Sequence, residues 1–387
     1  MVERDGVRFT LLGTAHVSQS STDAVRAALA SGQFDAVAVE LCPARRQALA
    51  DPASLSSLDL FSVIREGKAG LVAASLALAA YQRRLGEQLG VEPGAEMRAA
   101  LDDAESLGLP CWLIDRDVGT TLKRTWRGAG FWQRSKLIGA LLGSLVVGES
   151  IDEAEIERLK QGDLLESAFS EFARQSEPLY RGLIAERDRY MAAALRQHAA
   201  GSDARHVLVV VGAGHLEGLA THLADDRDDP VATRAGLERV PPPGWLSRAW
   251  PWLLIAFVLG GFAIGFARGV DIGAGLVWQW VLITAVLGAL GAAAAAAHPL
   301  SIVSAALASP LTPLHPALAS GMVSAATELW LRKPRVADFS ALRDDLQRVS
   351  GWWRNAAARI FLVFLMTSLG TALGVYIAGY RIIDALL

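Results

Sequence analysis

Over the first 245 residues, short apolar runs with β-type composition alternate with longer stretches of helical spacing; beyond them, charged positions become sparse. Val7–Leu12, Ala36–Leu41, Cys111–Ile114 and His206–Val211 are apolar and rich in β-formers, and they predict four strands. Ser18–Ala30, Gly94–Leu107 and the charged stretch Ile151–Ala199, divided by Pro178, predict helices between them. This alternation predicts an α/β unit with a mostly parallel or mixed sheet flanked by helices. Ala69–Ala80 and Leu137–Val147 are apolar over only about a dozen residues each, too short to cross a bilayer, and are expected to be core or dimer-interface helices.

The second part reads differently. Ala249–Ala267 is a run of 19 residues without a charge, Ile272–Thr327 a run of 56, and Ile360–Tyr380 a run of 21. A bilayer core needs about 20 apolar residues as helix, so each run is long enough to span. The middle run contains Pro299, Pro310, Pro313 and Pro316, which break helix continuity. Ile272–Ala297 is therefore expected as one span and Pro299–Thr327 as broken helices that enter and return, with four full spans as the alternative. The expected organisation is an α/β unit over 1–240, a proline-rich linker over 241–248 marked by Pro241-Pro242-Pro243, and a helical transmembrane unit of three or four segments over 249–387.

Charge sharpens the division. Met1–Trp245 holds 27 Lys/Arg against 34 Asp/Glu, whereas Leu246–Leu387 holds 10 against 6. The acidic first part lacks a basic stripe, which argues against nucleic-acid binding. Arg332, Lys333, Arg335, Arg343, Arg348, Arg354 and Arg359 crowd the polar loop before the last apolar run, and the positive-inside rule places that loop in the cytoplasm. The start Met-Val-Glu-Arg-Asp has no apolar stretch behind a basic leader. A multi-pass protein of the cell (inner) membrane, with its first unit cytoplasmic, is the expectation. Two cysteines, Cys42 and Cys111, suit a reducing compartment and cannot build a cysteine-rich metal site.

Gly-x-x-His occurs twice directly after a predicted strand, as Gly13-Thr14-Ala15-His16 and as Gly212-Ala213-Gly214-His215. If both strands share a sheet, two imidazoles stand over the carboxyl edge, where open α/β sheets bind ligands. Glu40 ends the second strand, and a carboxylate inside an apolar strand is costly unless paired or metal-bound. His16, Glu40 and His215 make a ligand set for a divalent ion, with Cys42 on the same side of the strand as Glu40. Asp115-Arg116 closes the third strand, as a buried ion pair or as an anion-holding group.

The ordered series Gly13-Thr14-Ala15-His16-Val17-Ser18, Val39-Glu40-Leu41-Cys42-Pro43-Ala44-Arg45, Gly94-Ala95-Glu96-Met97, Ile114-Asp115-Arg116-Asp117, Glu186-Arg187-Asp188-Arg189-Tyr190-Met191 and Val211-Gly212-Ala213-Gly214-His215-Leu216 resembles the TraB/PrgY family of membrane proteins. His298-Pro299, Arg332-Lys333-Pro334 and Asp338-Phe339 extend the resemblance into the second part. The resemblance implies a clan shared with the Tiki and GumN proteins, in which two Gly-x-x-His motifs and an acid are taken to form a divalent-metal protease site. It also implies a fold related to erythromycin esterases and ChaN-like haem-binding proteins. Matched by position, the ligands are His16, His215 and Glu40, while Arg45, Glu96, Arg116, Arg187 and Asp188 fall on further motif positions. PrgY members limit peptide pheromone activity and Tiki relatives cleave a secreted signalling protein, so a peptide or protein substrate is implied.

The expected chemistry is metal-assisted hydrolysis with manganese, cobalt or zinc. Glu96 or Asp188 is the candidate general base, and Arg116 or Arg187 the candidate oxyanion donor. Two alternatives stand beside it: a metal-independent hydrolase in which Glu40 orients a histidine base, and a peptide-binding, regulatory or transport protein in which the broken segment near His298 and His315 forms a passage.

Overall fold

A computed structural model describes residues 1–14, 19–50, 60–65, 72, 76, 94–130, 133, 180–242, 244–315, 318–335, 338–339, 341–346 and 348–386. The chain divides into two compact units, Met1–Pro52 with Gln82–Pro242, and Ala53–Tyr81 with Pro243–Leu387. His16, Leu137–Val147 and the part of Ile151–Ala199 before Tyr180 lie outside the described residues.

The first unit is built from β1 (Val2–Arg4), β2 (Val7–Thr14), α1 (Gln19–Ala30), β3 (Ala36–Val39) and α2 (Pro43–Ala50); α3 (Leu60–Arg65) belongs to the other unit. Then come α4 (Ala95–Ser106), β4 (Cys111–Leu113), α5 (Val118–Gly128), a π-helical turn (Arg181–Ala185), α6 (Glu186–Ala200), β5 (His206–Gly212), a 3-10 turn (Ala213–His215), α7 (Leu216–Asp225) and α8 (Pro230–Glu238). The described strands form one mixed sheet in the order β1-β2-β5-β3-β4, parallel except for the antiparallel edge β1. The periodicity did not predict β1, but Asp5-Gly6 was a signal for it. Both residues have positive φ, 51° and 78°, as a two-residue hairpin turn of matching twist requires.

Central strands β3 and β5 are buried on both faces, and their alternation assigns each face its own helices. Ala36, Ala38, Val207, Val209 and Val211 pack with Met191 and Leu195 of α6 and Leu219 and Leu223 of α7. Val37, Val39, Leu208 and Val210 pack with Val25 and Leu29 of α1 and Met97 and Ala100 of α4. Two-sided burial explains why these strands read as continuous apolar runs. Because the parallel strands all end at one edge, the residues that follow them are brought together there.

The second unit contains three helices long and apolar enough to cross a membrane, given by Arg248–Arg268, Val270–Ala294 and Ala356–Leu386. These are α9 (Trp245–Arg268), α10 (Val270–Ala294) and, after two shorter helices and the single helical turns Leu342–Asp345 and Gly351–Arg354, α13 (Ala356–Leu386). The shorter two are α11 (Pro299–Ala308) and α12 (Ser320–Arg332), joined through a 3-10 turn at Thr312–Leu314. At about 1.5 Å per residue each is about half a bilayer long. Their outer ends meet where Glu328 Oε2 accepts the His298 N–H at 2.8 Å. Their inner ends meet at Thr371, halfway along α13, which contacts both Ser309 and Ser320. The Trp280 indole, midway along α10, donates to Pro310 O at 3.0 Å. The proline-broken stretch thus doubles back at mid-length of its neighbours.

Helix approach in this unit depends on glycine: a Cβ on Gly291 would lie 2.2 Å from Met366 O, and one on Gly370 2.2 Å from Leu287 O. Trp278, Leu290, Leu307, Leu311 and Tyr376 are exposed, whereas Thr284, Ser301, Ser309, Ser320, Ser324 and Thr367 are buried. An apolar exterior around a hydroxyl-bearing interior is the arrangement a lipid solvent favours. From the inserted segment, Leu60, Ile64, Val72 and Leu76 pack against the cluster that holds Ala295, Phe339, Trp352 and Phe361. The described part of Ala69–Ala80 therefore packs in the helical unit rather than in the α/β core.

Candidate functional site

Five motif residues, Glu40, Asp115, Arg187, Asp188 and His215, meet at the carboxyl edge of the sheet. Glu40 directly follows β3, its backbone paired with Val210 of β5, and its side chain is buried. Glu40 Oε2 accepts the Gly212 N–H at 2.7 Å and Oε1 accepts from Arg187 Nη2, so the expected cost of a strand-end carboxylate is met by two charge-assisted bonds. His215 closes the 3-10 turn after β5 and starts α7, with Nε2 3.5 Å from Glu40 Oε1. Its Nδ1 is hydrogen-bonded to Asp188 Oδ1 at 2.5 Å. Arg187 lies among them: Nε donates to Asp115 Oδ1 and Nη2 to Asp115 Oδ2, both at 2.9 Å, and Nη1 donates to His215 Nε2 at 3.0 Å. Arg45, partly exposed on α2, stands 3.8 Å from Asp115 Oδ2.

The π-helical turn Arg181–Ala185 leads directly into α6, whose first turn carries Arg187 and Asp188 at the sheet edge; such turns are frequent at functional sites. Gly182 makes room, since a Cβ there would lie 2.3 Å from Thr125 Oγ1. Gly13 plays a similar part in β2, where a Cβ would lie 2.4 Å from Leu216 Cδ1. Thr14, the last residue of β2, pairs with Gly212 and donates to Val211 O at 3.2 Å, so the β2 end from which the chain runs on to His16 is level with the β5 end.

The electrostatics are tightly coupled. Burial opposes the Arg187 charge, but Asp115 and Glu40 outweigh it and hold the guanidinium protonated more firmly than a free arginine. Burial pushes the Asp188 carboxyl above the ordinary carboxylate range, against the pull of His215. For His215, burial opposes a charge while Glu40 and Asp188 favour one, and the net direction is upward. Arg187 works the other way. A guanidinium has no acceptor, so the 3.0 Å contact requires a bare Nε2, with the ring proton on Nδ1 facing Asp188. In this geometry the ring proton sits on Nδ1, and Arg187 is the neighbour that works against a second one.

The remaining predicted residues fall in different places. Arg116 is fully buried and directed away from this group: Nε donates to Thr121 Oγ1 at 3.0 Å, Nη1 to Glu186 Oε2 at 2.9 Å and Leu237 O at 3.1 Å, and Nη2 to Gly182 O at 3.1 Å. Glu96 is buried in the first turn of α4, after Gly94 with its φ of +81°. Because α4 runs back toward the start of β4, that turn lies at the carboxyl edge. Gly214 is exposed beside His215. Sequence reasoning missed Glu186, which accepts from both Arg116 and Arg124, and Gly218. Glu186 opens the motif run Glu186-Arg187-Asp188 but was given no role there, and Gly218 carries no motif signal, because each matters only through packing between distant elements. Among the described residues no group of three or more His, Cys, Asp or Glu is arranged to hold a metal ion.

Residues 1–229 match the TraB/PrgY/gumN family, and residues 246–387 match the C-terminal domain of TraB family proteins. The chain belongs to the TraB/PrgY/gumN family. It is 29% identical over 381 residues to an uncharacterised protein of Methanocaldococcus jannaschii, covering 95% of this chain and 92% of that one. It is also similar to TraB domain-containing proteins of Bos taurus, 31% identical over 68% of this chain and 74% of that one, and of Mus musculus, 32% identical over 63% and 68%. No solved structure matches the chain.

Gly218 on α7 supplies a test of how family residue His215 is held. A Cβ at Gly218 would lie 2.1 Å from Asp188 Oδ2, so Gly218→Ala is expected to push Asp188 off the ring and destabilise the unit by about 1–3 kcal/mol. Nitrogen NMR of the imidazole checks it: the Nδ1–H tautomer should be lost in the variant. An unchanged tautomer would show that Asp188 does not orient His215.

Proposed function

We propose that this chain is a membrane-anchored, metal-dependent hydrolase that cleaves peptide bonds in a peptide or protein substrate. The observation that carries the reading is the convergence of Glu40 Oε1 and His215 Nε2, 3.5 Å apart at the sheet's carboxyl edge, with Asp188 on the far nitrogen of the ring. Two ligands about 2.1 Å from one ion, about 110° apart, stand about 3.4 Å from each other, so the donor pair fits a divalent ion. A carboxylate behind a ligating imidazole is the support such ligands commonly have. His16, two residues beyond Thr14, would complete the set, since two residues span at most about 7 Å of chain.

A bound manganese, cobalt or zinc ion would supply an acidified water and a polarised carbonyl. The chain's own residues supply the rest. Asp188 keeps the Nδ1 proton and so presents the Nε2 lone pair. Arg187, anchored on Asp115 through Nε, carries a permanent charge beside the reacting position and serves as the oxyanion donor. Glu96 is the candidate proton acceptor. The helical unit would anchor the enzyme in the cell membrane. With α11 and α12 returning to the side they entered, the start of α9 and the basic loop after α12 share one face, which the positive-inside rule makes cytoplasmic.

One contact favours a second reading. Arg187 engages the same Glu40 oxygen and His215 nitrogen that an ion would need, and with Arg187 rather than an ion beside them, His215 held by Asp188 would act as a metal-free general base once Nη1 leaves Nε2.

The experiment that separates them is metal binding by chelator-stripped full-length protein in detergent, titrated with manganese, cobalt and zinc. One ion per chain is expected, lost in His215→Ala and weakened at least tenfold in Glu40→Gln. Arg187→Met should bind at least as tightly as the parent. Absence of stoichiometric binding in the parent and in Arg187→Met together would overturn the metal reading.

A further inference from the structure

The interior of the helical unit holds a polar seam that the proposed hydrolase does not use. Ser320, Ser324 and Glu328 recur every four residues on the buried face of α12. At about 1.5 Å per residue they extend about 12 Å, from the α11 outer end to the middle of the bundle. Thr367 and Thr371 of α13 face them: Ser324 donates to Thr367 Oγ1 at 3.0 Å and Ser320 to Thr371 Oγ1 at 2.7 Å. From α11, Ser309 meets Thr371 at 2.8 Å. Since α11 and α12 run antiparallel from the His298–Glu328 contact to the shared Thr371 contact, Ser301 on the buried face of α11 lies level with Ser324 and Glu328.

Several oxygens in this seam have no hydrogen-bond partner among the described residues. The Ser301 hydroxyl is fully buried and unpartnered. The Ser368 hydroxyl is also unpartnered and lies against the first turn of α12, where a Gly321 Cβ would sit 2.3 Å from it. Glu328 Oε1 is 2.7 Å from Arg332 Nε but without the angle of a hydrogen bond. A buried polar group left unpaired costs about 1–3 kcal/mol, and water is what usually removes that cost. Polar groups at membrane depth, and the break between two half-helices, are tolerated beside a watery cavity. From Ile272 to Leu331 the chain has no Lys or Arg, so the seam offers oxygens and one carboxylate, the chemistry of a site for small hard cations.

We propose that this seam is a hydrated half-path by which water and a small monovalent cation, a proton or a sodium ion, reach the middle of the membrane from the end that carries Glu328. It rests on the reading that the helical unit spans a bilayer, and it is independent of the hydrolase chemistry. Arg332, partly exposed at the same mouth, would share Glu328 with the entering cation.

Cysteine accessibility in full-length protein reconstituted into liposomes tests it. Ser301→Cys, Ser320→Cys and Ser324→Cys are compared with the exposed, lipid-facing Val303→Cys and Leu307→Cys, with the parent's Cys42 and Cys111 as the blank. Cationic and anionic methanethiosulfonates and a lipophilic maleimide are the probes. Seam cysteines should react with the cationic reagent at least tenfold faster than Val303→Cys, and faster than with the anionic one. Adding Glu328→Gln to Ser324→Cys should remove that charge preference, the amide oxygen still accepting the His298 N–H. Because the seam cysteines lie on two helices, loss of one variant to misfolding leaves the comparison intact. Seam cysteines as slow as Val303→Cys would overturn the path, and equal rates with both charged reagents would overturn its cation selectivity. If Val303→Cys and Leu307→Cys take the lipophilic probe alone, the spanning reading stands whatever the seam does. Their reaction with charged reagents would instead sink the spanning reading and the path with it.

Discussion

Cutting the chain after Pro242 is expected to yield a fragment that self-associates, although every strand of the described sheet is retained. Leu60, Ile64 and Leu76 are buried in the helical unit, and Val72 packs against the same cluster. Removing residues 243–387 uncovers all four, each losing about 1.5–3 kcal/mol of apolar burial on full exposure. The same fragment with 53–81 replaced by a flexible Gly/Ser linker should run as a monomer. Light scattering on the two proteins without detergent distinguishes the outcomes. A monomeric 1–242 fragment would show that the inserted segment does not depend on the helical unit for its burial.

Arg116→Ala is expected to be the most damaging single substitution outside the group around His215, by about 3–5 kcal/mol, because it leaves partly buried Glu186 short of a partner and two carbonyls unpaired. Arg116→Lys should recover little, since one ammonium cannot reach four acceptors that a planar fork reaches. Metal binding per folded chain should be unchanged. Acid should weaken the same hub. Burial alone would raise the Glu186 pKa, but its bonds to Arg124 and Arg116 bring it below the ordinary value. A folded-state pKa below the unfolded value of about 4.3 means the stabilisation is present above that pH and lost as pH falls through the folded value. Hydrogen exchange in α5 and β4 measures both effects. Unaltered protection there in Arg116→Ala would remove Arg116 from its structural role.

The legible part of this protein was the part written locally. Strands β2, β3, β4 and β5 follow from apolar runs, because two-sided burial in a parallel sheet leaves no polar alternation to confuse the reading. Glu40 and His215 were legible as partners because a strand end is a definite place once the strands are parallel. Edge strand β1 was missed because Val2-Glu3-Arg4 has a single apolar residue and no run to read, and the turn Asp5-Gly6 is its clearer mark. Arg187 and Asp188 stood in a recognisable motif, yet their roles did not. The bonds to Asp115, Glu40 and His215 that define those roles join residues separated by 27 to 147 positions.

By itself, then, the sequence determined an α/β sheet with an acid and a histidine, Glu40 and His215, at its edge, an apolar helical half, and membership of a family. Those are consequences of local composition: strands need β-formers, membrane helices need length without charge, and motif residues need a fixed spacing. Only the tertiary structure decided that residues 53–81 belong with the helical half, that Arg116 is buried among four acceptors, and that the proline-broken segment encloses a row of hydroxyls. The physical reason is the same in each case. Burial, hydrogen-bond satisfaction and charge pairing are properties of neighbours in space, and the chain lists only its neighbours in order.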